Sequence, residues 1–179
     1  MTEKQKATLN KIIDALPNDC REAFREVAEY AVSLGYTPVL KSAKKNYADF
    51  SKSKIGRTIL KIDIAPTPPR LAMKFYALPE YTGIFKETIE ESVREHARLK
   101  YEIKPHCTGC MQRRNGRCNE PQGYNITLPD GKQGFICGFG IMSLPSFSAE
   151  NILEVIAALK VQDDFFIKKM IENRNSIKS

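Results

Sequence analysis

The sequence predicts an α+β fold: an antiparallel sheet packed by helices, with a cysteine-rich metal-binding loop module. Three observations predict it. Helical periodicity opens and closes the chain and returns once in the middle. Between those stretches, apolar and polar side chains alternate as in half-buried strands. Four of the five cysteines fall in a turn-rich stretch between Lys104 and Gly140. At 179 residues, with 42% hydrophobic and 27% charged side chains, the chain reads as a single domain over 1–179, with the module at about 104–140 inside it. That composition does not suit disorder.

The elements follow in order. Leu9, Ile12, Ile13 and Leu16 share one helical face, and Phe24, Val27, Ala28, Ala31 and Leu34 share another. Leu16-Pro17-Asn18-Asp19 separates them; Asp19 with Glu22 reads as a capping box, and Gly35 as the stop of the second helix. Thr37 to Leu40 reads as a short strand, and Thr58 to Ile64 alternates as a half-buried one. Pro66-Thr67-Pro68-Pro69 breaks the chain before Leu71–Tyr76, so the two runs read as a hairpin or an adjacent antiparallel pair. From Thr82 to about Lys100, Phe85, Ile89, Val93 and Ala97 recur every four residues, which predicts a surface helix packed on the sheet. His96 beside that stripe reads as a boundary residue rather than a ligand. Asp130-Gly131 can join Tyr124–Leu128 to Gln133–Cys137 as a hairpin. Ser148 caps a helix over Ala149–Lys160, and Asp163 with Asp164 begins another whose Phe165, Phe166 and Ile167 read as core.

The cysteines carry the sharpest chemistry. Cys107 and Cys110 form a Cys-x-x-Cys pair, Gly109 lets the backbone turn between them, and Cys118 follows. The expected hairpin returns Cys137 to the other three as a long-range fourth ligand. Four thiolates suit a closed tetrahedral zinc site that contributes folding free energy. An iron–sulfur cluster takes the same ligands and is the alternative. A redox role for Cys107 and Cys110 needs a βαβ context at a helix start, which this stretch lacks. Cys20, within the second helix, reads as a small buried apolar residue. Met1–Lys6 opens neither a signal peptide nor a membrane span, so the expectation is a cytoplasmic chain, whose reducing surroundings favour metal over disulfides.

The formal net charge is +7. Lys41, Lys44, Lys45, Lys52, Lys54, Arg57 and Lys61 stand against Asp49 alone, while Arg113, Arg114 and Arg117 lie inside the cysteine cluster. Such a distribution can neutralise phosphates, so Lys41, Lys44, Lys45, Lys52, Lys54, Arg57, Arg113, Arg114 and Arg117 are the candidate contacts for nucleic acid or another polyanion. A solvated lysine-rich face is the plainer reading, since no RNA-reading motif surrounds Tyr47 and Phe50.

No P-loop, dinucleotide fingerprint, nucleophile elbow or His-Glu-x-x-His pattern is present. The order of Leu16-Pro17 and a long helix, a basic strand containing Asp49-Phe50, the runs Ile59–Ile64 and Leu71–Tyr76, and a helix from Thr82 resembles small frataxin-like, or iron-chaperone-like, α/β families over residues 10–100. The resemblance implies the α+β arrangement. It carries no iron site, which would need an acidic surface where this stretch is basic. The expected role is therefore a non-catalytic, zinc-stabilised cytosolic protein that binds nucleic acid or another polyanion. The alternative is an enzyme or small-ligand-binding protein with a pocket between sheet and cysteine module.

Overall fold

Thr2 starts the first helix, α1 (Glu3–Asp14), with a capping box: Gln5 N–H donates to the Thr2 hydroxyl, and Thr2 N–H donates to the Gln5 side chain. The second helix, α2 (Arg21–Ser33), begins at Cys20, whose side chain makes no capping bond, so the expected Asp19–Glu22 box does not form. Its other end is a Schellman stop. Gly35 at φ +90° donates to Val32 O, and Tyr36 N–H returns to Ala31 O at 3.1 Å. This computed structural model describes residues 1–41, 46–106 and 122–176, with side chains to Glu172.

Among the described residues seven strands follow: β1 (Thr37–Lys41), β2 (Tyr47–Lys52), β3 (Arg57–Asp63), β4 (Arg70–Met73), β5 (Gly123–Thr127), β6 (Gln133–Cys137) and β7 (Met142–Leu144). Helix α3 (Gly83–Arg98) lies between β4 and β5, and α4 (Ile152–Ser176) closes the chain. The chain forms two compact units. The first is Met1–Pro79 with Ile141–Ser179, and the second, Glu80–Gly140, interrupts it in sequence between β4 and β7.

In the first unit the strands pair antiparallel in the order β1-β2-β3-β4-β7. Alternation aims Ala48, Phe50, Leu60, Ile62, Leu71, Met73 and Leu144 at one face, where all are buried. Helices α1, α2 and α4 supply the opposing layer, with Leu9, Ile12, Ile13, Phe24, Val27, Ala31, Val155 and Leu159 buried. Each large apolar side chain of this kind contributes about 1.5–3 kcal/mol of burial. A bulge adjusts the sheet. Phe50 faces Leu60 but Ser51 faces Thr58, so Ile59 is the extra residue and it and Leu60 are both fully buried. The antiparallel sheet packed by helices is thus as the alternation predicts.

The C-terminal helix differs from expectation in being continuous. Asn151 Oδ1 accepts from Ser148 N–H at 3.0 Å, a 3-10 turn covers Ala149–Asn151, and α4 then runs through Asp163 without a break. Tyr76 meets Phe165 and Phe166 edge-on, at 5.7 and 6.1 Å between ring centres, which accounts for the aromatic stripe as core. Among the described residues no helix is long and apolar enough to cross a membrane.

In the second unit the helix expected from Thr82 forms as α3, burying Ile84, Phe85, Thr88 and Ile89. The Thr88 hydroxyl donates to Ile84 O at 2.8 Å, so its burial leaves no orphaned donor. His96 is half-buried with Nδ1 2.7 Å from Ser92 O, a contact within its own helix that fits a boundary residue.

Candidate functional site

The hairpin that was expected to carry Cys137 is present as the two-stranded sheet β5–β6. Gly131 takes φ +83° in its turn, and Asp130 Oδ1 accepts from Lys132 N–H at 3.1 Å, the side-chain-to-backbone bond that makes aspartate a turn residue. At the far end of the ladder Cys137 stands opposite Gly123. Only glycine fits there, because a Cβ on residue 123 would lie 2.2 Å from Ile136 O and 2.8 Å from Gly138 N.

Both chain segments that lead into the cysteine stretch are tied to this hairpin. Phe135 N–H donates to Lys104 O at 2.8 Å, and Gly138 N–H donates to Gln122 O at 2.7 Å. Gly134 lets the first of them approach, since a Cβ there would come 2.9 Å from Ile103 Cγ2. The Cys137 thiol is exposed and not in a disulfide, and Phe139 N–H points at its Sγ from 3.5 Å. Cys107, Cys110 and Cys118 lie outside the described residues. Among the described residues, no three His, Cys, Asp or Glu side chains are grouped to hold a metal ion.

The basic candidates among the described residues are spread along the sheet. Lys44, Lys45, Arg113, Arg114 and Arg117 lie outside the described residues. Lys41 is exposed at one end of the β1–β2 pair, facing Tyr47, whereas Lys54 and Arg57 sit at the β2–β3 turn at the other end of β2. With about 3.3 Å per residue, the six residues of β2 hold the two groups well over 10 Å apart. Lys61 faces Asp49 across the ladder and lies over the Tyr47 ring at 3.7 Å, and Arg70 faces Asp63. The polar face of the sheet therefore alternates in sign, which a count along the sequence does not show.

Lys52 has a different job. Its ammonium is 2.7 Å from Asp163 Oδ1, which also accepts from the Tyr36 hydroxyl at 2.9 Å. Lys52 Nζ stands 4.7 Å from the centre of the Tyr36 ring. Asp163 and Tyr36 are buried, so this polar cluster fastens α4 to β2 and to the residue that follows the α2 stop. Burial foremost, then the hydrogen bond and charge of Asp163, push the Tyr36 phenol far above its usual range. Neighbouring Gln162, fully buried, accepts from Ala77 N–H at 3.1 Å. Periodicity along the sequence missed this cluster; the only signal was two acidic residues inside an apolar helical stripe.

Cys20 departs from the buried apolar reading. It is half-buried at the N-cap of α2, and its thiol donates to Pro17 O at 3.3 Å. Burial first, and Asp19 second, push that thiol above its ordinary value. No family model, curated protein or solved structure matches the chain.

Proposed function

We propose that the chain is a metal-stabilised binding protein in which Cys107, Cys110, Cys118 and Cys137 hold one zinc ion, and whose basic residues contact nucleic acid or another polyanion. One observation carries the metal reading: Lys104 and Gln122, which flank the cysteine stretch, are both hydrogen-bonded beside Cys137. Cys107 is three residues beyond Lys104 and Cys118 is four residues before Gln122. At no more than about 3.6 Å per residue, chain length alone keeps both within roughly 11–15 Å of those anchors. On this reading the hairpin would offer a fixed fourth thiol to the other three, as a turn-rich module needs if metal binding is to contribute to its folding. When bound, zinc would act as a structural cross-link, with no open position for chemistry.

The polyanion reading rests on Lys41, Lys44, Lys45, Lys54, Arg57, Arg113, Arg114 and Arg117. Lys52 drops out of it, because its ammonium is held by Asp163 and its side chain is only 15% exposed. The test is metal analysis of the full chain purified without oxygen, followed by titration of labelled DNA and RNA. About one zinc per chain, lost in Cys137→Ser, is the expected result. Metal-free protein with four freely titrating thiols and unchanged stability in chelator would overturn the site, and a brown protein with matching iron and sulfide would assign a cluster instead.

A further inference from the structure

The first unit contains a cleft of about 420 Å³ where the start of α2 meets the segment leading into α4. Phe24, Phe147 and Ile152 form its apolar wall, the two rings meeting edge-on at 5.1 Å, and Asp19, Glu22 and Glu26 stand around it. We propose that this cleft binds a small organic cation: an ammonium group carried on an aromatic or branched apolar body. Its lining residues belong neither to the cysteine module nor to the basic set discussed above.

Charge and shape both lead there. The protein as a whole is +7, yet Asp14–Tyr30 holds five carboxylates and two arginines, and Ile141–Leu159 holds two carboxylates and no cation. Of the two arginines, Arg25 pairs away from the cleft, while Arg21 keeps its positive charge near Cys20, so three carboxylates stand against one cation. Arg21 donates through Nε to Leu16 O and through Nη2 to Asp14 O, both at 2.8 Å; Arg25 donates to Asn10 Oδ1 at 3.0 Å and pairs with Glu29. Among the described residues, Asp19, Glu22 and Glu26 are left with no ion-pair partner.

The N-terminus of α2 opposes this preference, but with only about half a positive charge that acts over the first turn. Three carboxylates outweigh it, and Glu26 stands beyond that turn. The Cys20 thiol adds no charge, because its proton is held toward Pro17 O. A volume of this size matches small-molecule sites, and an aromatic wall beneath a negative rim suits a cation with an apolar body better than a metal ion or an anion.

The test uses the full chain labelled with nitrogen-15 and three probes of closely similar size: 2-phenylethylammonium, neutral 2-phenylethanol and anionic phenylacetate. The ammonium should give saturable amide shifts confined to Asp19–Val27 and Phe147–Leu153, and its affinity should fall as salt rises. The double variant E22Q/E26Q alters two exposed side chains and should weaken the ammonium about fivefold while leaving the spectrum otherwise intact. Phe147→Ala should weaken it independently. Equal binding of the neutral alcohol, unchanged affinity in E22Q/E26Q, shifts centred elsewhere, or no saturation by the ammonium would each overturn the proposal.

Discussion

Replacing Asp163 by Ala should remove a large share of the first unit's stability. The side chains of Lys52 and Asp163 are only 15% and 5% exposed, and Asp163 Oδ1 accepts two hydrogen bonds, from the ammonium at 2.7 Å and from the Tyr36 phenol at 2.9 Å. Losing the carboxylate strands a largely buried ammonium, which leaves it only the face of the Tyr36 ring, and orphans a phenol that is fully buried. Breaking a buried pair from one side costs about 3–5 kcal/mol, against a total domain stability of about 5–15 kcal/mol. Asp163→Asn keeps an acceptor oxygen and loses the charge, so its cost should be smaller, about 1.5–3 kcal/mol. Tyr36→Phe removes one hydrogen bond from an intact ion pair and should cost about 1 kcal/mol. Removing both charges with Lys52→Met and Asp163→Leu should cost less than the two single changes added together, because neither then leaves an uncompensated charge. Equilibrium unfolding in urea, followed by far-ultraviolet circular dichroism, measures all six variants. Asp163→Ala within about 1 kcal/mol of the parent, or strict additivity of the pair, would refute the claim that this cluster locks α4 in place.

Four further outcomes follow from the same geometry. Gly123→Ala should destabilise the β5–β6 hairpin by more than about 3 kcal/mol and lower metal retention, because backbone rather than a movable side chain occupies the space its Cβ would need; unchanged melting and metal content would oppose this. Cys137→Ser, like Cys118→Ser, should lower the melting temperature far more than Cys20→Ser, with chelator reproducing the loss; equal melting for all of them with and without chelator would count against a structural metal. Burial pushes the Tyr81 phenol up to about 12. The unfolded phenol releases its proton near 10 while the folded one keeps it, so this contribution is present below pH 10 and lost as pH rises toward 12; Tyr81→Phe should flatten that part of the stability profile. Polyanion binding should weaken steeply with salt, and Arg57→Ala should lower the logarithmic salt slope by about one unit if Arg57 meets a phosphate; no binding at low salt would end that reading.

Local signals in the sequence located the elements that are themselves local. Both N-terminal helices, β3, α3 and the β5–β6 hairpin follow from periodicity and from turn residues, Gly35 and Gly131 among them, at positions where the backbone takes positive φ. Strand β7 was invisible because its three residues are strand only by pairing with β4, some 70 positions earlier. Strand β2 forms where the basic strand containing Asp49-Phe50 is expected. It carries one acid and one base, Asp49 and Lys52, and the residues that place it in the sheet are the inward-facing Ala48 and Phe50.

The acidic pair in α4 makes the same point about sites. Asp163-Asp164 resembles a helix start because aspartate is favoured at N-caps and in first turns, and only a partner can overrule that. For Asp163 that partner comes from far away. Asp163 meets Lys52 across 111 positions, Gln162 meets Ala77 across 85, and Asp164 alone stays local, accepting from Lys160 at 3.0 Å. With Asp163 turned inward to a cation and a phenol, the backbone is free to continue its helical ladder, and the two expected helices become one. The same pairing removes Lys52 from the basic stretch, so one long-range contact corrects both the helix boundary and the list of residues able to meet a polyanion. A sequence with many lysines can yield that list only after the buried carboxylates have taken their share of them.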